Sequence, residues 1–164
     1  MLDWSVDQKE HPVMILIPGN QVTYREADKD FNRLNHFKVE EAGEKVAILA
    51  LGDFYQRGEQ LSAKIKAELG FTPTLINPRF ASGIDKELLE SLSERHQMVI
   101  TMEDGILSGG FGEKIASFYG SSDMKVKNYG LEKKFYDRYD PNELLKEVGM
   151  TPAQIIADIC NQLK

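Results

Sequence analysis

The sequence is poor in cysteine, in long apolar runs and in excess positive charge, and each shortage removes a class of function. Its one cysteine, Cys160, excludes an internal disulfide and a cysteine-ligated metal cluster. No apolar stretch approaches the roughly 18–20 residues that cross a bilayer as a helix. Acidic side chains outnumber basic ones, 26 to 20, for a net charge of −6. A polyanion needs clustered positive charge to hold it, so nucleic acid is excluded as a general partner. The start, MLDWSVDQKEHP, lacks the basic-then-apolar plan of a secretory leader, which makes the cytoplasm the expected compartment. Internal repeats and low-complexity tracts are absent as well.

What is present fits one ordinary globular domain: 164 residues, 41% hydrophobic and 28% charged. PVMILIP (12–18) reads as a buried strand closed by Pro18-Gly19-Asn20. Residues 20–44 keep neither a helical nor an alternating period and read as a linker. From Lys45 the pattern turns regular. Strands are expected at 45–51, 71–78, 98–102 and 124–131. Between the first two lies a helix from about Phe54 to Leu69, with Leu61, Ile65 and Leu69 on one stripe and Gly70 as its stop. Asp85 is placed to cap KELLESLSERH, with Leu88, Leu89 and Leu92 turned inward. A helix ending near Tyr119 follows the third strand. Asp140-Pro141 and Thr151-Pro152 open two short closing helices. Alternating strands and helices predict an α/β fold: three layers, α/β/α, around a mostly parallel five-stranded sheet with one antiparallel edge strand.

In such sheets function gathers at the carboxyl ends of the strands. Three loops emerge there, at Gly52-Asp53, at 77–83 and at 103–112. The last carries Gly109, Gly110 and Gly112. The spacing G-G-x-G matches neither the dinucleotide fingerprint nor the phosphate loop ending in Lys-Ser/Thr. Close packing of a helix start is therefore expected rather than a phosphate cradle. Glu103 and Asp104 are adjacent, so an extended chain points them apart. Arg79 follows the preceding strand, and with Glu103 forms either an ion pair or two solvated side chains. His11, His36 and His96 are dispersed without metal-ligand spacing. His96 ends a helix, where a partly positive imidazole suits the dipole. Cys160 sits among Ile155, Ile156 and Ile159 and reads as a packed thiol. Basic and aromatic residues alternate through 124–139, a solvated face given the intervening Glu132 and Asp137.

The ordered set LINPRF, GIDKELLESLSERHQMVITMEDGILSGGFGEKI and KNYGLEKKF resembles the C-terminal domain of the transketolase superfamily. Within it the resemblance is to the 1-deoxy-D-xylulose-5-phosphate synthase family. It rests on Arg79-Phe80 after a strand, Ile84-Asp85 at a helix start, His96 before the next strand, Thr101 to Glu103 at its end, and Gly109 to Gly112. MLDW and HPVMILIPGN are similar to the end of the pyrimidine-binding domain that precedes it. The resemblance implies three segments: 1–19 as the end of that preceding domain, 20–44 as linker and 45–164 as the C-terminal domain. It implies a parent enzyme that uses thiamine diphosphate and magnesium to join the two-carbon unit of pyruvate to glyceraldehyde 3-phosphate, a step toward isoprenoids and thiamine.

By the same resemblance the cofactor sits in domains outside these residues. This chain then has no catalytic, cofactor-binding or metal-binding residue of its own. Arg79, Asp85, Glu103, Gly109, Gly110 and Gly112 become packing and interface residues, and the partners are the preceding domains and a second copy in a homodimer. The rivals are the C-terminal domain of a transketolase or of a 2-oxo-acid dehydrogenase β subunit, and a free-standing flavodoxin-like module. Three departures stand out. Leu16 occupies the position of a family arginine that helps bind substrate phosphate. Glu-Glu-Asn is replaced by Glu103-Asp104-Gly105, and Gly-Leu-Pro-Asp by Gly130-Leu131-Glu132-Lys133.

Overall fold

A computed structural model describes residues 1–17, 31 and 33–163. The chain divides into two compact units, Met1–Leu34 and Asn35–Lys164. The first holds the short helix α1 (Leu2–Asp7) and a tilted ring contact between Trp4 and Phe31, 6.3 Å between centroids. The strand expected at 12–18 is not formed over residues 12–17, and Met14, Leu16 and Ile17 are exposed there. An extended apolar run becomes a strand only when a neighbour takes up its backbone hydrogen bonds, and these residues enter no ladder. The turn expected at Pro18-Gly19-Asn20 lies outside the described residues, as do residues 20–30 and 32 of the linker.

The second unit is built on one sheet. Its strands are β1 (Lys38–Glu41), β2 (Lys45–Ala50), β3 (Thr74–Asn77), β4 (His96–Ile106) and β5 (Lys125–Leu131), in the spatial order β1-β3-β2-β4-β5. β2 runs parallel to β3 and β4, and β4 parallel to β5; β1 is the antiparallel edge on β3. Along β2, Val46, Ile48 and Ala50 face one side while Ala47 and Leu49 face the other, and all five are fully buried. A strand covered on both faces has no polar side, which is why KVAILA reads as an unbroken apolar run.

Helices α2 (Tyr55–Leu69) and α6 (Pro152–Gln162) cover the first face with Leu61, Ile65, Ile155 and Ile159. Helices α3 (Lys86–Leu92) and α4 (Phe111–Tyr119) cover the second with Leu89, Leu92, Phe111 and Ile115. Cys160 packs half-buried against the first of these cores. The result is the three-layer α/β/α arrangement.

Local signals hold at the helix ends. Gly70 closes α2 at φ +75°, a left-handed position that costs glycine little. Asp140 caps α5 (Pro141–Glu147) by accepting from the amides of Asn142 and Glu143. Thr151 and Gln154 form a reciprocal capping box on α6. Several boundaries differ from expectation: β3 opens at Thr74 rather than at 71, and α3 ends at Leu92 rather than running on to His96. β4 runs to Ile106 rather than stopping at 102. The edge strand β1 lies inside 20–44, the stretch read as linker, so the sheet begins at Lys38 and not at Lys45. Its sequence, KVEE, has no buried side chain and hence no apolar signal.

Candidate functional site

The carboxyl end of β4 is where the glycine turn meets the sheet. Glu103 is buried and Asp104 exposed, as alternation requires. The chain then turns at Gly109, whose φ of +77° strains any residue with a Cβ. It enters α4 with Gly110 as the N-cap. The first amides of a helix have no partner inside the helix and carry the positive end of its dipole. Here Glu103 supplies the partner from the strand: Oε2 accepts from Phe111 N and Oε1 from Gly112 N, both at 2.8 Å. Glu113 accepts from the amide of Gly109.

The other two glycines are demanded by space. A Cβ on Gly110 would lie 2.7 and 2.8 Å from the oxygens of Glu103. One on Gly112 would lie 2.4 Å from Thr101 Oγ1, which donates to Asn128 Oδ1 at 2.9 Å. The turn is thus a packing device that lets α4 sit on β4 and β5. It does not fit a diphosphate: the two amides that would face one are committed to Glu103, whose own negative charge would repel it.

A second clamp forms where β3 leaves the sheet. Asp85 is buried. Its Oδ1 accepts from Leu88 N at 3.2 Å, capping α3. Its Oδ2 takes Phe37 N at 2.9 Å and His36 Nδ1 at 2.8 Å. Arg79 stands at φ +61° and sends Nη2 (2.7 Å) and Nε (3.2 Å) to the carbonyl of His36. Ser82 donates to Asn35 Oδ1 at 2.7 Å, and Lys114 of α4 reaches the carbonyl of Ala81 at 2.8 Å. Residues 35–37, where the second unit begins, are therefore gripped by the loop that follows β3. Neither alternative for Arg79 and Glu103 is realised: no ion pair joins them, and Glu103 is not solvated.

His36 belongs to this clamp and carried no signal, because its partner lies 49 positions further along the chain. His96 also departs from expectation. It is buried at the start of β4, and burial holds its imidazole below the usual histidine range despite the neighbouring Leu92 carbonyl, so it is neutral. In the basic–aromatic stretch, Lys127 lies 3.7 Å from Asp158, which also accepts from Tyr129 Oη at 2.9 Å, tying β5 to α6. Phe135 is fully exposed. Among the described residues no group of three or more His, Cys, Asp or Glu is arranged to hold a metal.

A family model described as transketolase, C-terminal domain, matches residues 35–155, opening where the second unit opens. The chain belongs to that family. This transketolase C-terminal domain is similar to the 1-deoxy-D-xylulose-5-phosphate synthase of Shouchella clausii (strain KSM-K16), 30% identical over 167 residues. That match covers 99% of this chain and 26% of the relative. The enzyme of the same name from Trichodesmium erythraeum (strain IMS101) is 33% identical over 124 residues, 74% of this chain and 19% of that one. The chain spans about a quarter of the length of these relatives. A solved structure described as "Split gene transketolase, inactive beta4 tetramer" shares the fold at a TM-score of 0.69 and 24% identity, over 79% of this chain and 42% of that one.

Proposed function

We propose that this chain is the assembly and dimerisation domain of a thiamine-diphosphate-dependent transferase of the 1-deoxy-D-xylulose-5-phosphate synthase type, and is not catalytic alone. The observation that carries the reading is the filled helix start. The glycine turn has the look of an anion cradle, and its amides are spent on Glu103 within the chain. The share of the relatives that is matched supports it too, since about three-quarters of their length lies beyond these residues.

In this reading residues 1–19 end a preceding pyrimidine-binding domain and a linker leads to Asn35. The clamps at Arg79 and Asp85, with the turn at Gly109, Gly110 and Gly112, set the shape of the face that meets the preceding domains. Thiamine diphosphate and magnesium are held by those other domains. The parent works in the cytoplasm on pyruvate and glyceraldehyde 3-phosphate.

Calorimetric titration of magnesium thiamine diphosphate into the purified chain tests this. No binding is expected at micromolar concentration, and no turnover of pyruvate. Micromolar binding to these residues would overturn the reading.

A further inference from the structure

At the amino end of the sheet three strands begin around one imidazole. His96 Nδ1 lies 2.9 Å from the carbonyl oxygen of Leu92. A carbonyl only accepts, so the ring proton is on Nδ1. Nε2 is then a bare acceptor, 2.8 Å from Thr74 Oγ1 in the first residue of β3. The threonine hydroxyl donates to it, and the same oxygen accepts the amide of Gly43 at 2.8 Å. The relay has one direction: Gly43 N–H to Thr74 O–H to His96, and His96 N–H to Leu92.

Gly43 lies in the corner, residues 42–44, that carries the chain from the edge strand β1 across the start of β3 into β2. The corner fits closely, since a Cβ on Gly43 would be 2.1 Å from the carbonyl oxygen of Thr72. Glu44 N donates to that same oxygen at 2.9 Å, and Lys45 N to the carbonyl of Arg95 at 2.9 Å.

We propose that His96 is an acid-sensitive pin for this corner: protonation at Nε2 turns its acceptor into a donor, strands the hydroxyl proton of Thr74, and sets His96 against the Gly43 amide for the lone pairs of one oxygen, which loosens the corner and the β1 edge. The charged groups around the ring act in both directions. Arg95, on the turn between α3 and β4, opposes protonation, and Glu44 on the corner favours it. Lys45, the register partner of His96 on β2, has its ammonium 5.0 Å from the centre of the Phe71 ring. Thr74 on β3 is neutral, and the Leu92 carbonyl on α3 favours the cation. Burial outweighs these and keeps the ring neutral. The folded state therefore binds the proton less readily than the unfolded chain, whose histidine titrates near 6.5. The pin is intact above that value and is lost as pH falls from it through the lower folded value.

The test is amide exchange by NMR on the full 164-residue chain between about pH 7.5 and 5, with the His96 ring followed in the same samples. After correction for intrinsic rates, the amides of Gly43 and β1 are expected to exchange about tenfold faster at the acid end. The midpoint should coincide with the His96 titration, while Ile100 in the centre of β4 stays protected. Thr74→Ser keeps the hydroxyl and should keep the response; His96→Gln, which cannot titrate, should abolish it. Constant protection of Gly43 through the titration of His96 overturns the proposal, as does an equal acid response in His96→Gln. Should His96→Gln fail to fold, the native chain and Thr74→Ser still decide the question.

Discussion

Two apolar runs in this chain meet opposite fates. KVAILA at 45–50 is fully buried at every position after Lys45, whereas PVMILI at 12–17 leaves Met14, Leu16 and Ile17 at 86%, 84% and 75% exposure. Their apolar content is similar. The difference lies in what surrounds them. β2 has β3 on one edge and β4 on the other, with helices over both faces, so its backbone groups and its side chains are both satisfied. Residues 12–17 enter no ladder. Hydrophobicity marks a segment that can be buried, and burial needs neighbours to supply the hydrogen bonds and the opposing surface.

Truncating Ile48 to alanine should expose the contrast most sharply. Its side chain is fully buried among the residues that α2 and α6 lay on the sheet. Removing three carbons there costs lost transfer energy plus a cavity, about 2–5 kcal/mol. Urea unfolding of the isolated chain should show the midpoint fall by the corresponding amount with the slope unchanged. A loss below about 1 kcal/mol would mean that the two runs are not energetically distinct.

Glu103 carries the comparison from apolar to polar groups, because it is a charged residue buried with every partner provided. Glu103→Ala leaves the amides of Phe111 and Gly112 without acceptors in a buried place, at a cost of about 3 kcal/mol. Glu103→Gln keeps one carbonyl oxygen and loses the charge that favours the helix start, so its loss should be smaller. Unfolding curves of the two variants separate hydrogen bonding from packing. Equal losses would mean that the charged pair of accepting oxygens, rather than the filled volume that glutamine retains, holds α4 in place.

How far the fold could be read from the chain follows the same physics. β2 was legible because both faces are apolar, and the starts of α3, α5 and α6 because Asp85, Asp140 and Thr151 act within three or four residues of themselves. β1 was not, since four residues with no buried side chain leave no pattern. The far end of β4 was hidden by polar residues that the ladder to β5 accommodates as far as Ile106. At the candidate site, residue types were readable and pairings were not. Glu103 was visible as a strand-end carboxylate. That it turns back onto α4 depends on a loop geometry that only close packing creates. His36 met Asp85 through the fold alone.

The smallest effect is expected at the exposed run, and it tests the comparison from its other side. Met14→Ser with Leu16→Ser removes two apolar side chains that are already in water. No transfer energy is lost on unfolding and no cavity is left, so the change should stay within about 0.5 kcal/mol. A midpoint shift worth more than about 1 kcal/mol would show that these side chains are covered in the isolated chain after all, by folding or by self-association. Repeating the measurement at tenfold lower protein concentration separates those two causes, because only association depends on concentration. If stability is unchanged in the isolated chain, any weakening seen when the same pair is changed in the larger enzyme proposed above must come from contacts made outside this fold. Exposed apolar side chains of this kind would then act on assembly and not on folding, as an interface residue does.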